Sequence, residues 1–264
     1  MEKIIKLFIW LFSVSAIRYF VIAGIPFFIF YKVLNNKLSR SKIQTRAAGL
    51  KDFTRDILHS MQTTAVLALI AFVVIYTPAV KYTHVYVNMS QYPTWWLWLS
   101  VPVCLIIHDT YFYWMHRLLH HKKMFKYTHV LHHKSTNPSP WTSYSFHIIE
   151  SFTEGLVLVV IVLIIPVHPL AILMFTVSAL VINVYGHLGY EILPKGFRKR
   201  KAFRFFNTSV HHNLHHRKFN GNYGLYFRVW DRIMGTEHPD YVTEYDRVQQ
   251  KRFGTDELAV ESFT

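Results

Sequence analysis

Four long apolar runs constrain this chain more than any other feature of its sequence. The first extends from Ile4 to Phe30, broken by Lys6 and Arg18, and the second from Ile57 to Val80. The third, "TWWLWLSVPVCLII", opens on Trp95, Trp96 and Trp98 and runs into His108. The fourth, "GLVLVVIVLIIPVHPLAILMFTVSALVINVYGH", is divided by "PVHP" at Pro166 to Pro169. A helix needs roughly 20 apolar residues to cross a bilayer, so runs of this kind specify a membrane protein. Apolar residues make up 52% of the 264 residues and aromatics 17%, which fits that reading. The halves of the fourth run are short, and a helical hairpin with its tip at "PVHP" is the economical solution. The tryptophan cluster suits a membrane interface. "MEKIIKLFIWLFSVSA" has the outline of a signal peptide, but the apolar run continues past Ala16, so a retained anchor is expected. Arg18 is costly at mid-membrane; it snorkels, faces the bundle, or marks a span that starts later than Ile4.

The single cysteine, Cys104, permits no disulfide within the chain and reads as a small apolar residue. The net charge is +14. Because the basic residues flank the apolar runs, anionic lipid headgroups are the better partner and nucleic acid is not expected. The sequence holds no P-loop, G-x-G-x-x-G or G-x-S-x-G pattern. The connector "YKVLNNKLSRSKIQTRAAGLKDFTRD" is basic, so the positive-inside rule puts it in the cytoplasm. The third span then returns near His108, and both ends of the hairpin return too. Every histidine cluster falls on this one face.

Those clusters carry the chemistry. Each helical residue turns by about 100°. His116 and His120 therefore share a face at i, i+4. His129, His132 and His133 form H-x-x-H-H, and His212, His215 and His216 repeat it. His121 and His211 fall off these faces. A solvated basic face needs no such period, and a pH switch needs one or two histidines. Eight imidazoles at ligand spacing point to metal, and to more than one ion. Imidazole suits zinc, iron, copper and nickel. Beside hydrocarbon, the expected substrate is a lipid whose reacting carbon has no polar handle. Oxidising it needs a redox metal and O2, which makes two irons the natural choice.

With these motifs the chain resembles the fatty acid hydroxylase/sterol desaturase superfamily of membrane di-iron oxygenases. The family pattern is matched by "HRLLH" (His116, His120), "HVLHH" (His129, His132, His133) and "HNLHH" (His212, His215, His216). The resemblance extends through "HDTYFYWMHR", "GHLGYE" and "NGNYGLYFRVWDRIMGT", over roughly residues 95–238. It implies a further ligand at the end of a span, a place that His187 fills. Some members carry another histidine four residues earlier, where this chain has Asn183. Nine ligands rather than ten are then implied. Asn183 could orient His187, bind water, or be a polar helix-end residue.

Asp109 returns to the face of His116 and His120 and could accept a ring N–H; an interfacial charge is the equal alternative. Glu150 and Glu191 could balance the charge of two dications. His147, close to Glu150, reads as a pocket residue, and His108 as a weaker case of the same kind. The expected fold is all-α: about four membrane spans or hairpin arms with a helical, histidine-rich cytoplasmic cap, in a single domain over 1–264. The resemblance implies O2-dependent hydroxylation or desaturation of a membrane lipid. Electrons would come from a separate cytochrome, ferredoxin or reductase. A metal-transport protein is the competing class, but its ligands would lie along a path inside the spans.

Overall fold

The computed structural model describes residues 2–46 and 48–254. Its helices are α1 (Glu2–Phe27), α2 (Leu50–Tyr76), α3 (Thr94–Leu119), α4 (Lys122–Thr128), α5 (Val130–His133), α6 (Ile148–Ile164), α7 (Pro169–Gly186), α8 (Lys201–Phe205), α9 (Ser209–Lys218), α10 (Val229–Ile233) and α11 (Tyr241–Phe253). The five long helices α1, α2, α3, α6 and α7 pack as a bundle, and α9 lies against both α7 and α11.

Among the described residues, three helical segments are long and apolar enough to cross a membrane: Glu2–Val33, Leu50–Tyr76 and Pro169–Gly186. The first continues α1 through a π-type turn at Phe28–Val33, just after Pro26 interrupts the regular ladder. The third apolar run behaves differently from a plain span. It forms α3, 26 residues long, whose later half carries His108, Asp109, His116 and Arg117. This arm begins at the apolar end of the bundle and rises into the histidine region. The hairpin at "PVHP" is present, with α6 and α7 as its arms. His168 caps α7 by accepting the Leu170 N–H at 3.1 Å.

The two ends of the bundle differ in kind. At one end the 77–93 loop is tied to the hairpin tip, through His84 N–H to the Val162 carbonyl and Val167 N–H to the His84 carbonyl. Trp96 Nε1 donates to the Pro166 carbonyl at 2.8 Å. At the other end lie α4, α5, α9 and the basic connector. Gln44 of that connector reaches both the Thr136 carbonyl and Asn213 at 2.8 Å.

Between helices in hydrocarbon, small side chains and polar links do more than apolar area. Gly155 of α6 lets α2 approach at Ile70 and Leu67. Thr63 and Ser151 join the same two helices by a 2.8 Å hydroxyl pair. Cys104 is fully buried in the main apolar cluster, as its setting implied. Arg18 faces the bundle: its Nη1 donates to Thr176 Oγ1 of α7 at 2.9 Å. A cation at mid-span costs roughly 2.5–3.5 kcal/mol, which explains why it turns inward to a partner.

Candidate metal centre

The eight histidines named from spacing, together with His187 implied by the resemblance, gather beyond the bundle in two groups. His116, His120, His129, His133 and His215 form one, and His132, His187, His212 and His216 form the other. Within each group the donor atoms all lie within 4.8 Å of one another. Eight of the nine side chains are buried and His120 is partly so. Each H-x-x-H-H box is therefore divided between groups. In α9, His212 and His216 are a full turn apart and point to one group. His215, one position earlier than His216, is rotated by about 100° and joins the other. The second box divides in the same way, His129 and His133 against His132.

Backbone carbonyls fix the ring orientations. Nδ1 of His116 donates to the Tyr223 carbonyl at 2.9 Å, and Nδ1 of His187 to that of Asn183 at 2.8 Å. His215 donates to Gly221 at 2.7 Å, His216 to Ser135 at 3.0 Å and His132 to Ser145 at 3.3 Å. A carbonyl only accepts, so these Nδ1 atoms carry the proton and the Nε2 atoms carry lone pairs. The Nε2 atoms of both groups converge. In the four-histidine group the Nε2–Nε2 separations are 3.3 Å for His132–His187, 3.2 Å for His187–His216 and 3.0 Å for His187–His212. His116 and His129 meet at 2.9 Å, and His120 and His133 at 3.1 Å.

Facing lone pairs repel unless a cation lies between them. Imidazole–metal bonds of about 2.0–2.1 Å would space adjacent nitrogens by roughly 2.9–3.4 Å, so the donor set fits a metal ion in each group. Burial lowers the pKa of His129, His132, His133, His212 and His216 well below the ordinary histidine range. It brings His187 and His215 to about 4. Neutral imidazole is the ligating form. His215 Nε2 is buried with no hydrogen-bond partner, again as a ligand atom would be.

The loop after α9 is shaped for this purpose. Gly221 has φ +73°, and a Cβ there would stand 2.7 Å from the Thr236 carbonyl. Only glycine gives the turn that aims its own carbonyl at His215. Asp231 holds the same loop by accepting the N–H groups of Tyr223 and Gly224 at 2.9 and 2.7 Å.

The supporting residues expected from sequence divide. Glu150 Oε1 lies 2.6 Å from Nδ1 of His129 and orients it. Asn183 orients His187 with its backbone carbonyl, while its side chain donates to the Ser143 carbonyl at 2.7 Å. Asp109 does something else: it accepts the N–H groups of Tyr226 and Phe227 at 2.7 and 3.2 Å. Seven residues of helix return it to the face of His116 but leave it about 10 Å lower along the axis. Glu191 closes the turn after α7 through the Leu193 N–H at 2.9 Å. His147 caps α6, accepting the Ile149 N–H at 3.3 Å, and does not line the main cavity. His108 does line it.

One anchor escaped the sequence reading. Asp56 of α2 is buried and accepts hydroxyls from Ser135 at 2.8 Å, Thr142 at 2.7 Å and Ser145 at 3.0 Å. Ser135 and Ser145 supply the carbonyls that aim His216 and His132. In sequence Asp56 is one aspartate beside an arginine, seven residues into a helix whose capping acid is Asp52, and nothing local marks it out.

A cavity of about 460 Å³ runs between the long helices; none of the nine clustered histidines lines it, and it approaches them at Phe112 and Phe146. Its lining includes Phe112, whose ring centre is 4.8 Å from that of His116, and Phe146, 5.0 Å from that of His132.

Residues 101–236 match the sequence profile of the family described as fatty acid hydroxylase. The chain belongs to this family. All nine clustered histidines lie within the matched stretch of the fatty acid hydroxylase profile. Lathosterol oxidase of Rattus norvegicus is 35% identical over 161 residues, 60% of this chain and 52% of that protein. A Delta(7)-sterol 5(6)-desaturase of Gibberella zeae is 30% identical over 229 residues, 86% of this chain and 60% of the relative. Methylsterol monooxygenase 1 of Rattus norvegicus is 30% identical over 151 residues, 57% of this chain and 50% of the relative. The chain spans about half the length of several of the curated relatives it matches. No solved structure matches it.

Neighbouring histidines should behave differently. His121 is exposed and caps α4, accepting the Lys123 N–H at 3.4 Å. His121→Ala should keep its metal and lose no more than one helix cap, about 1 kcal/mol. His211 also points away from both groups, but it is fully buried, edge-on to Tyr241 with ring centres 4.9 Å apart. His211→Ala should keep metal and lose stability, by about 1–3 kcal/mol for the packing removed. Metal content and thermal unfolding of each variant separate the two effects. Loss of metal from His121→Ala would contradict the grouping. Glu150→Ala removes only the partner of His129, so metal affinity should fall by about 10–100-fold without vanishing, measured by competition with a chelator.

Proposed function

We propose that this protein is a membrane-bound di-iron oxidoreductase that hydroxylates or desaturates a lipid at a carbon–hydrogen bond. One observation carries the reading: two groups of buried, neutral imidazoles adjoin an apolar cavity of lipid size. The names of the relatives, all oxidising a sterol, support the same class of substrate.

The five histidines from His116 to His215 would hold one iron, and the four from His132 to His216 the other. When bound, the irons supply, together with O2, the oxidising power to remove hydrogen from an unactivated carbon. The chain's own residues do the rest. The carbonyls of Asn183, Ser135, Ser145, Gly221 and Tyr223 keep protons on Nδ1 and lone pairs on Nε2. Phe112 and Phe146 separate the histidines from the cavity and keep water from it. The apolar walls orient the hydrocarbon. Hydroxylation consumes one O2, two electrons and two protons and releases one water; desaturation releases two. The electrons come from a separate donor protein.

The histidine end faces the cytoplasm in this reading, because the basic connector packs against it. The positive-inside orientation puts the C-terminus on the same side as well; it lies outside the described residues. Labelling of a single cysteine placed at Arg40 tests the orientation; reaction from the opposite side of the membrane alone would overturn it. Metal transport is not favoured, since the donors sit beyond the spans and the relatives are named as oxidising enzymes.

Lipid analysis of cells with and without the gene tests the function. A lipid differing by one oxygen or two hydrogens should appear only with the gene, and only in the presence of O2. An unchanged lipid profile alongside fully metallated protein would refute it.

A further inference from the structure

The cavity wall is apolar apart from a few groups, and one of these is a cation. Arg18 of α1 lines it and uses Nη1 on Thr176. Its Nε is buried and has no hydrogen-bond partner. No carboxylate pairs with it among the described residues. Twelve residues of helix separate Arg18 from Lys6, a rise of roughly 18 Å, so the guanidinium lies deep in the hydrocarbon layer. It also lies outside the stretch matched by the family profile.

We propose that Arg18 binds the oxygen-bearing end of the lipid in this cavity and holds the lipid with its hydrocarbon directed toward the histidines. The inference rests on the lipid-oxidation reading and adds a determinant of specificity to it. A guanidinium carries five N–H donors. Thr176 satisfies one of them; Glu154, the carboxylate that lines the same cavity, lies beside His108 and forms no ion pair with Arg18, and the apolar wall satisfies none. An oxygen acceptor on the ligand supplies what the protein leaves out. Thr176 and His187 are eleven residues apart on α7, a rise of roughly 16 Å. The polar end is therefore held away from the histidines, and the oxidised carbon is remote from it. The acceptor could be a sterol hydroxyl or a fatty acid carboxylate, since both present oxygen to a guanidinium.

The test is equilibrium binding to the iron-loaded protein in detergent, with two probe pairs. One pair is oleic acid and octadecene; the other is cholesterol and its 3-deoxy analogue. In one pair the oxygen-bearing member should bind wild type at least tenfold more tightly than its partner, which also identifies the source of the oxygen. Arg18→Met should abolish that difference and leave the iron content unchanged. Equal binding within both pairs, no binding of any probe, or wild-type discrimination by Arg18→Met would each overturn the proposal. The wild-type comparison needs no variant, so it stands even if Arg18→Met fails to fold. Iron content is read separately, so a failure of the oxidation reading shows as metal-free protein and not as lost discrimination.

Discussion

His216→Ala should abolish turnover and empty the four-histidine group while the five-histidine group keeps its ion. The geometry leaves this group no spare donor: the Nε2 of His216 lies 3.2 Å from those of both His187 and His212. Removing it opens one corner of the ring of lone pairs. His120→Ala should weaken the five-histidine group alone, since four donors remain there, and leave the four-histidine group loaded. Metal content per chain and product formation report the two effects together. Equal metal loss from both groups in each variant would mean that the nine histidines form a single coupled site.

The second large effect is expected far from the metals in sequence. Asp56→Ala strands three hydroxyls, from Ser135, Thr142 and Ser145, and leaves Arg55 without its 3.2 Å partner. Removing one member of a buried charged network costs about 3–5 kcal/mol. The midpoint of thermal unfolding should fall by on the order of 10 °C. Metal affinity should fall as well, because the Ser135 and Ser145 carbonyls no longer aim His216 and His132. Asp56→Asn, which keeps an acceptor oxygen, should lie between wild type and Asp56→Ala. An Asp56→Ala protein with wild-type stability and metal affinity would show that the 135–145 segment holds itself.

These two cases mark what the sequence could and could not reveal. The histidines were legible because ligand spacing is local: four residues make a helical turn, and a box repeats it. The hairpin was legible because "PVHP" breaks an apolar run at its middle. The division of each box between two groups was less accessible, since it depends on where neighbouring helices present their own histidines. Asp56 was hidden for a similar reason. Its hydroxyl partners are 79 to 89 residues away, and no local pattern connects them. Asp109 shows the limit of angular reasoning alone. Its direction matched that of His116, but its height along α3 did not, and its carboxylate holds the Tyr226–Phe227 backbone instead. For Arg18 the sequence left three alternatives, and only the contact with Thr176 separates them.

The most direct test of the account is iron stoichiometry in protein purified anaerobically and reconstituted with ferrous iron. Two irons per chain are expected in wild type, and about one in His216→Ala. A single tightly bound ion in wild type, or none after reconstitution, would contradict the di-iron centre and with it the proposed oxidation of lipid.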